Sequence, residues 1–575
     1  MEVVRALNTH LEEGETALWV GSTAERTSGS LLRQILSQRG LDITAIDRFL
    51  GPQLDALSDP KSMRDLDFAA ERVARAVVRG ERIMIHGDYD ADGVTSTALV
   101  VQFMRSIDAC VDYFIPDRFR DGYGLNSKSL QVFSKRGITV VITVDCGISA
   151  FEQARSAKTL GIDLIITDHH RCSDELPEAF AVVNPRRSDC NFPYKGLCGA
   201  GVAFYFLIAL RAELRRRGFF RNRKEPGLRS YLDLVFLGTL ADAVPLTEDN
   251  RILSQFGFFA LIAGARPGVG ALLTAANINR RTVTARDLSF GVVPLVNAAG
   301  RIAHANRAVE LFLSSDHHQA ASLANELRAY NDQRRRIEAD MLKEVESQLR
   351  SYDTSQPAIV LWGAQWHAGV LGIVAARIAE RFGRPTLLLN VENGVAKGSG
   401  RGIDGVDLYH TVSALDDLLL SYGGHAQAVG VTLTALNTEK LKDRFCAEIS
   451  RVGVGMPEGK SLISIDARLP LTKLTLELLE ELRALEPYGV GNPEPIFRSG
   501  GARIVDRKRV GANGQSLKLT VLQADKILQA IAYRFGEVDI PLDKPVELAF
   551  TPQINAYRAS PEVEIRLHDF RRVER

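Results

Sequence analysis

The sequence predicts a multidomain α/β chain that ends in a small β-barrel, and three observations predict it. From residue 67 onward short apolar strands alternate with helical stretches, and the pattern returns after residue 353. Between the two, residues 315–352 (SDHHQAASLANELRAYNDQRRRIEADMLKEVESQLRSY) read as one uninterrupted helix. After residue 460 the texture changes to short alternating strands separated by turns.

Residues 1–65 are mixed and carry no clear pattern. DFAAERVARAVVRG then has the three-to-four spacing of a helix, and ERIMIHGD reads as a buried strand ending in turn formers. TSTALVVQFMRSI is the next helix, ITVVITVD a second strand, FEQARSAKTL a helix and DLIITD a third strand. Apolar strands alternating with helices imply a parallel sheet covered on both faces. LRSYLDLVFLGTL is more helix-like than strand-like. The long helix, at 1.5 Å per residue, spans about 50 Å, enough to bridge two domains. Beyond it PAIVLW, GVLGIVAARIAERFG and PTLLLN form a second strand–helix–strand unit. LTLELLEELRAL is helical, and KLTVLQ, ILQAIAYRF, VELAFTPQI and VEIRLHDF are the barrel strands, for which an OB-fold is a candidate.

Composition bounds the rest. A length of 575 residues calls for three or four domains. Hydrophobic content of 45% and charged content of 25% are those of a soluble globular protein, and no apolar run reaches the length of a membrane span. The start, MEVVRALNTHLEEGE, lacks a secretory core, and the six cysteines form no CxxC pair; both point to a reducing cytoplasm. A net charge of +1 leaves any anionic partner to local patches.

The first three strands all end in acids or histidines: His86, Asp88, Asp90 and Asp92 in HGDYDADG, Asp145 in VDCG, and Asp168, His169 and His170 in TDHH, with Asp242 in LADAVPL. In a parallel α/β sheet the carboxyl ends of strands line one crevice, so residues distant in sequence converge. Carboxylates so close repel and partly protonate unless a cation is present. Mixed Asp and His suit Mn²⁺, Fe²⁺ or Zn²⁺, and an Asp-rich site tolerates Mg²⁺. The group is larger than one ion needs, and two ions about 4 Å apart activate water and neutralise a phosphoryl oxygen together. HGDYDADG alone also reads as a solvated turn, but three strand-end clusters in register favour metal-assisted hydrolysis of a phosphate ester.

A second Asp-His-His triplet, 316–318, follows VELFL and opens the long helix. Ser315 or Asp316 fits an N-cap, and the histidines fall in the first turn in water, so this copy is structural. The run 211–229 carries eight Arg or Lys and reads more as a solvated helix face than as a phosphate track. In the barrel Tyr533, Phe535, Phe550 and Tyr557 with Arg507, Lys508 and Arg509 offer stacking platforms and cations for single strands, though some of these aromatics must be core.

HGDYDADGVTS, VDCG, TDHH and LADAVPL resemble, in order, the four motifs of the DHH phosphoesterase superfamily, and WHAGVLGIVA, KGSGRG and YGGHAQAVG resemble its companion DHHA1 domain. With NAAGRI and the OB-like segment, residues 65–575 are similar to the bacterial RecJ-type single-strand exonucleases. The resemblance implies a DHH domain at 66–315, a connecting helix at 316–352, a DHHA1 domain at 353–456 and an OB-fold-like nucleic-acid-binding domain at 457–575, with 1–65 packed on the DHH domain. It implies His86, Asp90, Asp92, Asp145, His169 and Asp242 as ligands of two Mn²⁺ or Mg²⁺ ions, with Asp145 bridging. Asp88 would stand behind the ligands, and Asp168 and His170 would orient them or touch the scissile phosphate. Arg118, Arg301, Ser399 and Arg401 would hold a 5′-phosphate, the glycines around Ser399 letting backbone N–H groups approach it, and His425 would lie nearby.

The implied activity is 5′-to-3′ hydrolysis of single-stranded DNA to 5′-mononucleotides in recombination and repair. The implied enzyme is a cytoplasmic monomer, with a single-strand-binding protein and a RecQ-type helicase as partners and a gap beside the long helix that admits one strand only. Two alternatives remain open: a short-oligonucleotide or cyclic-dinucleotide phosphodiesterase of the same superfamily, and a non-catalytic DNA-binding replication scaffold. The intact acids weigh against the scaffold.

Overall fold

The structure is a computed structural model and describes residues 17–21, 30–353, 355–452, 461–511, 514–555 and 561–573. After β1 (Ala17–Gly21), strands β2 (Arg82–His86), β3 (Val111–Phe114), β4 (Ile138–Val144), β5 (Asp163–Thr167) and β6 (Ala181–Val183) form a sheet in the order β3-β2-β4-β5-β6, parallel throughout. The three strands read from sequence are its centre; the edge strands β3 and β6 are too short to stand out. Met84, Val141, Leu164 and Ile166 pack with Leu130, Phe133, Ala154 and Ala157 from the helices Ser127–Lys135 and Phe151–Thr159. The helices Ala91–Ser106 and Gly199–Arg216 lie against the sheet from its other side, with Leu232–Ala241 packed on both. Burial on two faces is why β4 is apolar at nearly every position.

Among the described residues the chain divides into two compact units. The smaller holds Ala298–Ala303 and the chain from Leu327 to Val452, and the larger holds the rest. The helix His317–Leu349 starts in the larger unit and ends in the smaller; its 33 residues give a length of about 50 Å. In the smaller unit β7 (Ile359–Gly363), β8 (Thr386–Glu392), β9 (Val395–Arg401), β10 (Leu419–His425) and β11 (Ala428–Thr434) form a sheet ordered β10-β11-β9-β8-β7, with only β7 and β8 parallel. Alternate residues serve opposite faces: Ile359, Leu361 and Leu388 meet Met341, Val345, Val370 and Val374, while Val360, Leu387 and Leu389 meet Leu408, Leu441 and Phe445.

The C-terminal part begins with β12 (Ser461–Ile465), paired in parallel with β1, and the short β13 (Ala467–Arg468). Then β14 (Phe497–Val510), β15 (Ser516–Gln523), β16 (Lys526–Ala532), β17 (Pro545–Asn555) and β18 (Glu562–Arg572) close into a barrel, β14-β15-β16-β18-β17 and back to β14. Strand β14 was not legible as one. FRSGGARIVDRKRV contains a Gly pair and many charges, and the pairing register shifts between Ser499 and Ala502, where the strand bends from one partner to the other.

The N-terminal helices Leu31–Gln38 and Ile43–Leu50 add Leu31, Leu32, Ile35, Leu36 and Ile46 to the barrel core, and Arg39 bonds Asp466 and Asn492 at 2.8 and 2.9 Å. The segment also touches the DHH-type domain, where Arg251 donates to Phe49 O, Ser58 N–H reaches Asp249 and Asp65 pairs with Arg187. The one-sided apolar spacing of LLRQIL needs a hydrophobic floor, and the barrel supplies it. Of the barrel aromatics, Phe535 and Phe550 are core and Tyr533 is exposed; Tyr557 lies outside the described residues.

No single described helix is long and apolar enough to cross a membrane. One bent pair, Glu248–Ala263 with Pro267–Ala275, passes on length and composition only. The first of these helices carries Arg251, whose buried guanidinium donates to the carbonyls of Phe49, Ala484, Leu485 and Glu486. One side chain thus ties the α/β domain to both the N-terminal helices and the approach to the barrel. Arg251→Met leaves those carbonyls without their donor, so urea denaturation should show a loss of about 3 kcal/mol. A loss under about 0.5 kcal/mol would contradict this reading.

Candidate metal centre

Each strand-end residue reaches the site by its own local geometry. His86 ends β2, and its ring is wedged against Phe114 and Phe133. Asp90 caps the helix Ala91–Ser106, its Oδ1 accepting the N–H groups of Asp92 and Gly93 at 3.0 Å each. Asp92, the second residue of that helix, accepts from Gly199 and Ala200 at 2.6 and 3.0 Å, the N-terminus of the helix Gly199–Arg216. Asp145 follows β4 at φ 63°, a left-handed conformation rare outside glycine. Asp242 terminates the helix Leu232–Ala241.

These residues converge in three groups, each with its ligand atoms within 4.8 Å of one another: Asp88, Asp90 and Asp145; Asp92, His169 and Asp242; and Asp145, Asp168, His169 and His170. Asp145 and His169 each belong to two of them. His169 Nε2 lies 3.0 Å from Asp145 and 3.9 Å from Asp92, and its Nδ1 lies 3.6 Å from Asp242. His86, expected as a ligand, is in none of the three groups, while its ring packs against Phe114 and Phe133 and keeps Nε2 buried.

Asp168 differs from its neighbours because its oxygens are fully used. Oδ2 accepts from Ile148 N–H at 2.9 Å, and Oδ1 accepts from the His169 and His170 N–H groups and from His170 Nδ1 at 2.7 Å. It organises the triplet. Burial pushes it up, but the His170 bond and charge outweigh that and hold it at about 2. Burial likewise pulls His170 down, but Asp168 lifts it to about 9.

The other acids carry an uncompensated load. Burial first, then neighbouring acids, raises Asp88 and Asp145 well above the usual carboxylate range, Asp92 to about 6 and Asp242 to about 8. Burial pushes His169 down to about 3 and His86 to about 4. Meanwhile Asp88 Oδ1, Asp145 Oδ1, His86 Nε2 and both ring nitrogens of His169 are buried without a hydrogen bond. Anionic oxygens and neutral imidazoles, desolvated and unbonded, are the donor set of a divalent metal, so the residues fit the predicted ions.

Sequence reasoning missed what shapes this cradle. A side-chain carbon at Gly199 would sit 2.5 Å from the Asp145 carboxylate, and one at Gly238 would sit 2.5 Å from Asp92 Oδ1. Asn297 of NAAGRI accepts the Ala91 N–H at 2.8 Å. Tyr89 lies under the Arg118 guanidinium at 4.0 Å, and Tyr123 stands edge-on to both Tyr89 and His170. Only an alignment of the motifs with a sheet could have singled these out.

The remaining predicted residues lie in the smaller unit. Arg401 Nη1 bonds Ser399 Oγ at 2.9 Å, Arg301 bonds Gly369 O at 3.1 Å, and the Arg401 and Ser399 side chains close over Gly372 of the helix Ala368–Phe382. His425 accepts from Gln427 N–H and shares a cross-strand row with Ala428 and Arg401. KGSGRG is interior strand β9, paired on both sides, so its N–H groups serve the ladders rather than a phosphate. Its glycines contribute by lacking side chains.

The second triplet is structural. Asp316 accepts from His318 N–H at 2.9 Å, both histidines are exposed, and no metal-type group among the described residues includes them. In the basic run, Arg211, Arg215, Arg216, Arg217 and Arg223 pair with Glu225, Glu213, Glu71 and Asp108, as a solvated face does.

A carboxylate whose folded pKa is raised binds its proton more tightly folded than unfolded. The metal-free protein should therefore lose stability as pH rises through about 4 to 8. Its Tm should fall over that range, and excess Mn²⁺ should restore it, binding more weakly at pH 6 than at pH 8. A Tm independent of pH and Mn²⁺ would contradict the arrangement.

Residues 82–239 match the DHH family, N-terminal domain, 355–451 the DHHA1 domain and 465–569 the RecJ OB domain. The chain is 39% identical to the single-stranded-DNA-specific exonuclease RecJ of Dickeya dadantii over 552 residues, covering 93% of this chain and 95% of that one. It is 37% identical to the Escherichia coli RecJ over 551 residues, 93% and 94% of the two chains. The crystal structure of Thermus thermophilus RecJ in complex with Mn²⁺ superposes with a TM-score of 0.78 at 30% identity, covering 97% of this chain and 79% of that one. A closed barrel after two α/β domains, an acid-and-imidazole centre at the strand ends, and identity along nearly the whole length agree: the chain belongs to the RecJ family of DHH proteins.

Proposed function

We propose that this protein is a 5′-to-3′ exonuclease that releases 5′-mononucleotides from single-stranded DNA by metal-dependent phosphodiester hydrolysis, in DNA recombination and repair. The observation that carries the reading is the set of buried oxygens and imidazole nitrogens, drawn from three strand ends and unbonded, whose chemistry suits divalent metal ions. The relatives named for this activity, and the Mn²⁺- and Mg²⁺-bound Thermus thermophilus structures, support it.

In this proposal Asp90, Asp92, Asp145, His169 and Asp242, with His86, hold two Mn²⁺ or Mg²⁺ ions, and Asp145 is shared because it faces both the Asp88–Asp90 side and the His169 side. Bound ions supply a lowered pKa for the attacking water and charge neutralisation at phosphorus. The protein's own groups do the rest. Asp168 fixes the triplet and fastens His170 through Nδ1, which leaves Nε2 to donate to an oxygen of the scissile phosphate. Asp88 stands buried, and burial first, then the neighbouring Asp90, raises it. Gly199 and Ala200 N–H hold Asp92 in place.

By the family resemblance the 5′-phosphate is assigned to Arg118, Arg301, Ser399 and Arg401, and to His425, which shares the sheet row of Arg401. Arginine suits a terminal phosphate dianion because its fork donates two parallel bonds. The exposed Tyr533 of the barrel offers a π face to single-stranded DNA. The family resemblance extends the proposal to a cytoplasmic monomer working with a single-strand-binding protein and a RecQ-type helicase, which protect and supply the single strand.

An oligonucleotide labelled at either end tests the reading, with Mn²⁺ or Mg²⁺. The 5′ label should appear as mononucleotide while the 3′-labelled strand shortens progressively. Asp145→Ala should lower the rate about a thousandfold or more. Survival of long strands while dinucleotides are cut would overturn the exonuclease reading. Arg401→Ala should reduce the preference for a 5′-phosphorylated over a 5′-hydroxyl end by about tenfold; an unchanged preference would remove Arg401 from the pocket.

A further inference from the structure

The helix that carries Asn297 begins with an irregular turn. Leu288–Val292 is π-helical and runs without a break into Val293–Ile302. Turns of this kind are rare and cluster at functional sites, where they re-aim side chains. Here the turn aims Phe290 into solvent, with 71% of its surface exposed. A lone exposed apolar side chain needs no explanation; this one is not isolated.

From Phe290 to Asn297 the side chains at least partly exposed are Phe290, Pro294 and Asn297, while Val292, Val293, Leu295 and Val296 are buried. The spacing i, i+4, i+7 makes one stripe. Asn297 on that stripe accepts the Ala91 N–H, between Asp90 and Asp92 of the metal centre. Seven residues separate Phe290 from Asn297, about 10 Å along the axis and about three stacked nucleotides at 3.4 Å each. Arg286 lies 5.7 Å from the Phe290 ring centroid and supplies a cation beside it. Its charge also reaches the barrel, where burial first, then Arg566 and Arg286, push His568 down to about 4. Phe290, its neighbour Arg286 and Asn297, which is bonded to the metal-binding motif, all belong to the larger unit.

We propose that Phe290 is a base-stacking platform for the DNA strand: a nucleobase a few positions from the scissile phosphate lies on its exposed face, with Arg286 beside the backbone. The inference rests on the exonuclease reading and adds to it a residue that grips the base, where the centre described above handles only phosphate. Any base has a π face, so the contact is indifferent to sequence.

The test uses the full-length protein in EDTA, which prevents cleavage, and the variant Phe290→Trp. Emission from the introduced indole, after subtraction of the wild type with its three native tryptophans, should be quenched by a 5′-phosphorylated oligothymidylate and much less by an abasic oligomer of equal length. Phe290→Ala should bind the oligothymidylate roughly fivefold or more weakly by fluorescence anisotropy, and Phe290→Tyr should bind it like the wild type. Strand binding by anisotropy without quenching of the introduced indole, or full affinity in Phe290→Ala, would overturn the stacking role while leaving the exonuclease reading intact. If the wild type binds neither oligomer, both fall together.

Discussion

The rest of the structure turns on one electrostatic burden: Asp88, Asp92 and Asp145 are buried within reach of one another and of Asp90. Nothing in an α/β fold requires this, and desolvated like charges oppose folding. The surrounding design makes sense as a way to carry that burden until cations arrive. Asp92 rests on the positive end of a helix, Asp90 caps another, and Asp168 is held by four donor groups. Asp88 and Asp145, both raised well above the usual carboxylate range by burial and then by neighbouring acids, each keep an oxygen with no hydrogen-bond partner.

Local strain and tight contacts gather around the same acids. Asp145 takes a left-handed backbone, and Gly199 and Gly238 leave no room for a methyl group against Asp145 and Asp92. Such features persist only where the neighbourhood over-determines them, and here the two-sided α/β core does so. The smaller unit uses its small residues differently. Gly423 and Gly430 share one cross-strand row with Ser399, which leaves the sheet surface open beside the Ser399 and Arg401 side chains.

Much of this was legible in the sequence, for a physical reason. Central strands of a parallel sheet are apolar runs, and their carboxyl ends share one crevice, so HGDYDADG, VDCG and TDHH could be placed together before any coordinates. The second triplet was separable because it opens a polar helix without acids around it. What stayed hidden depends on tertiary pairing. KGSGRG looks like a flexible glycine stretch but is an interior strand; β14 hides behind a Gly pair and five basic residues. The N-terminal helices show an apolar face but not which surface will receive it. The rings that flank His86, Phe114 and Phe133, lie on other elements, and nothing in HGDYDADG announces them.

The account stands on a pair of ions held by shared ligands. Electron paramagnetic resonance of the protein titrated with Mn²⁺ addresses that most directly. The arrangement of Asp145 and His169 between ligand groups predicts that, as occupancy passes one ion per chain, the signal of isolated Mn²⁺ gives way to that of a spin-coupled pair, and that Asp145→Asn abolishes the coupling. A signal of isolated Mn²⁺ that saturates at one ion per chain, or coupling that survives in Asp145→Asn, would contradict it.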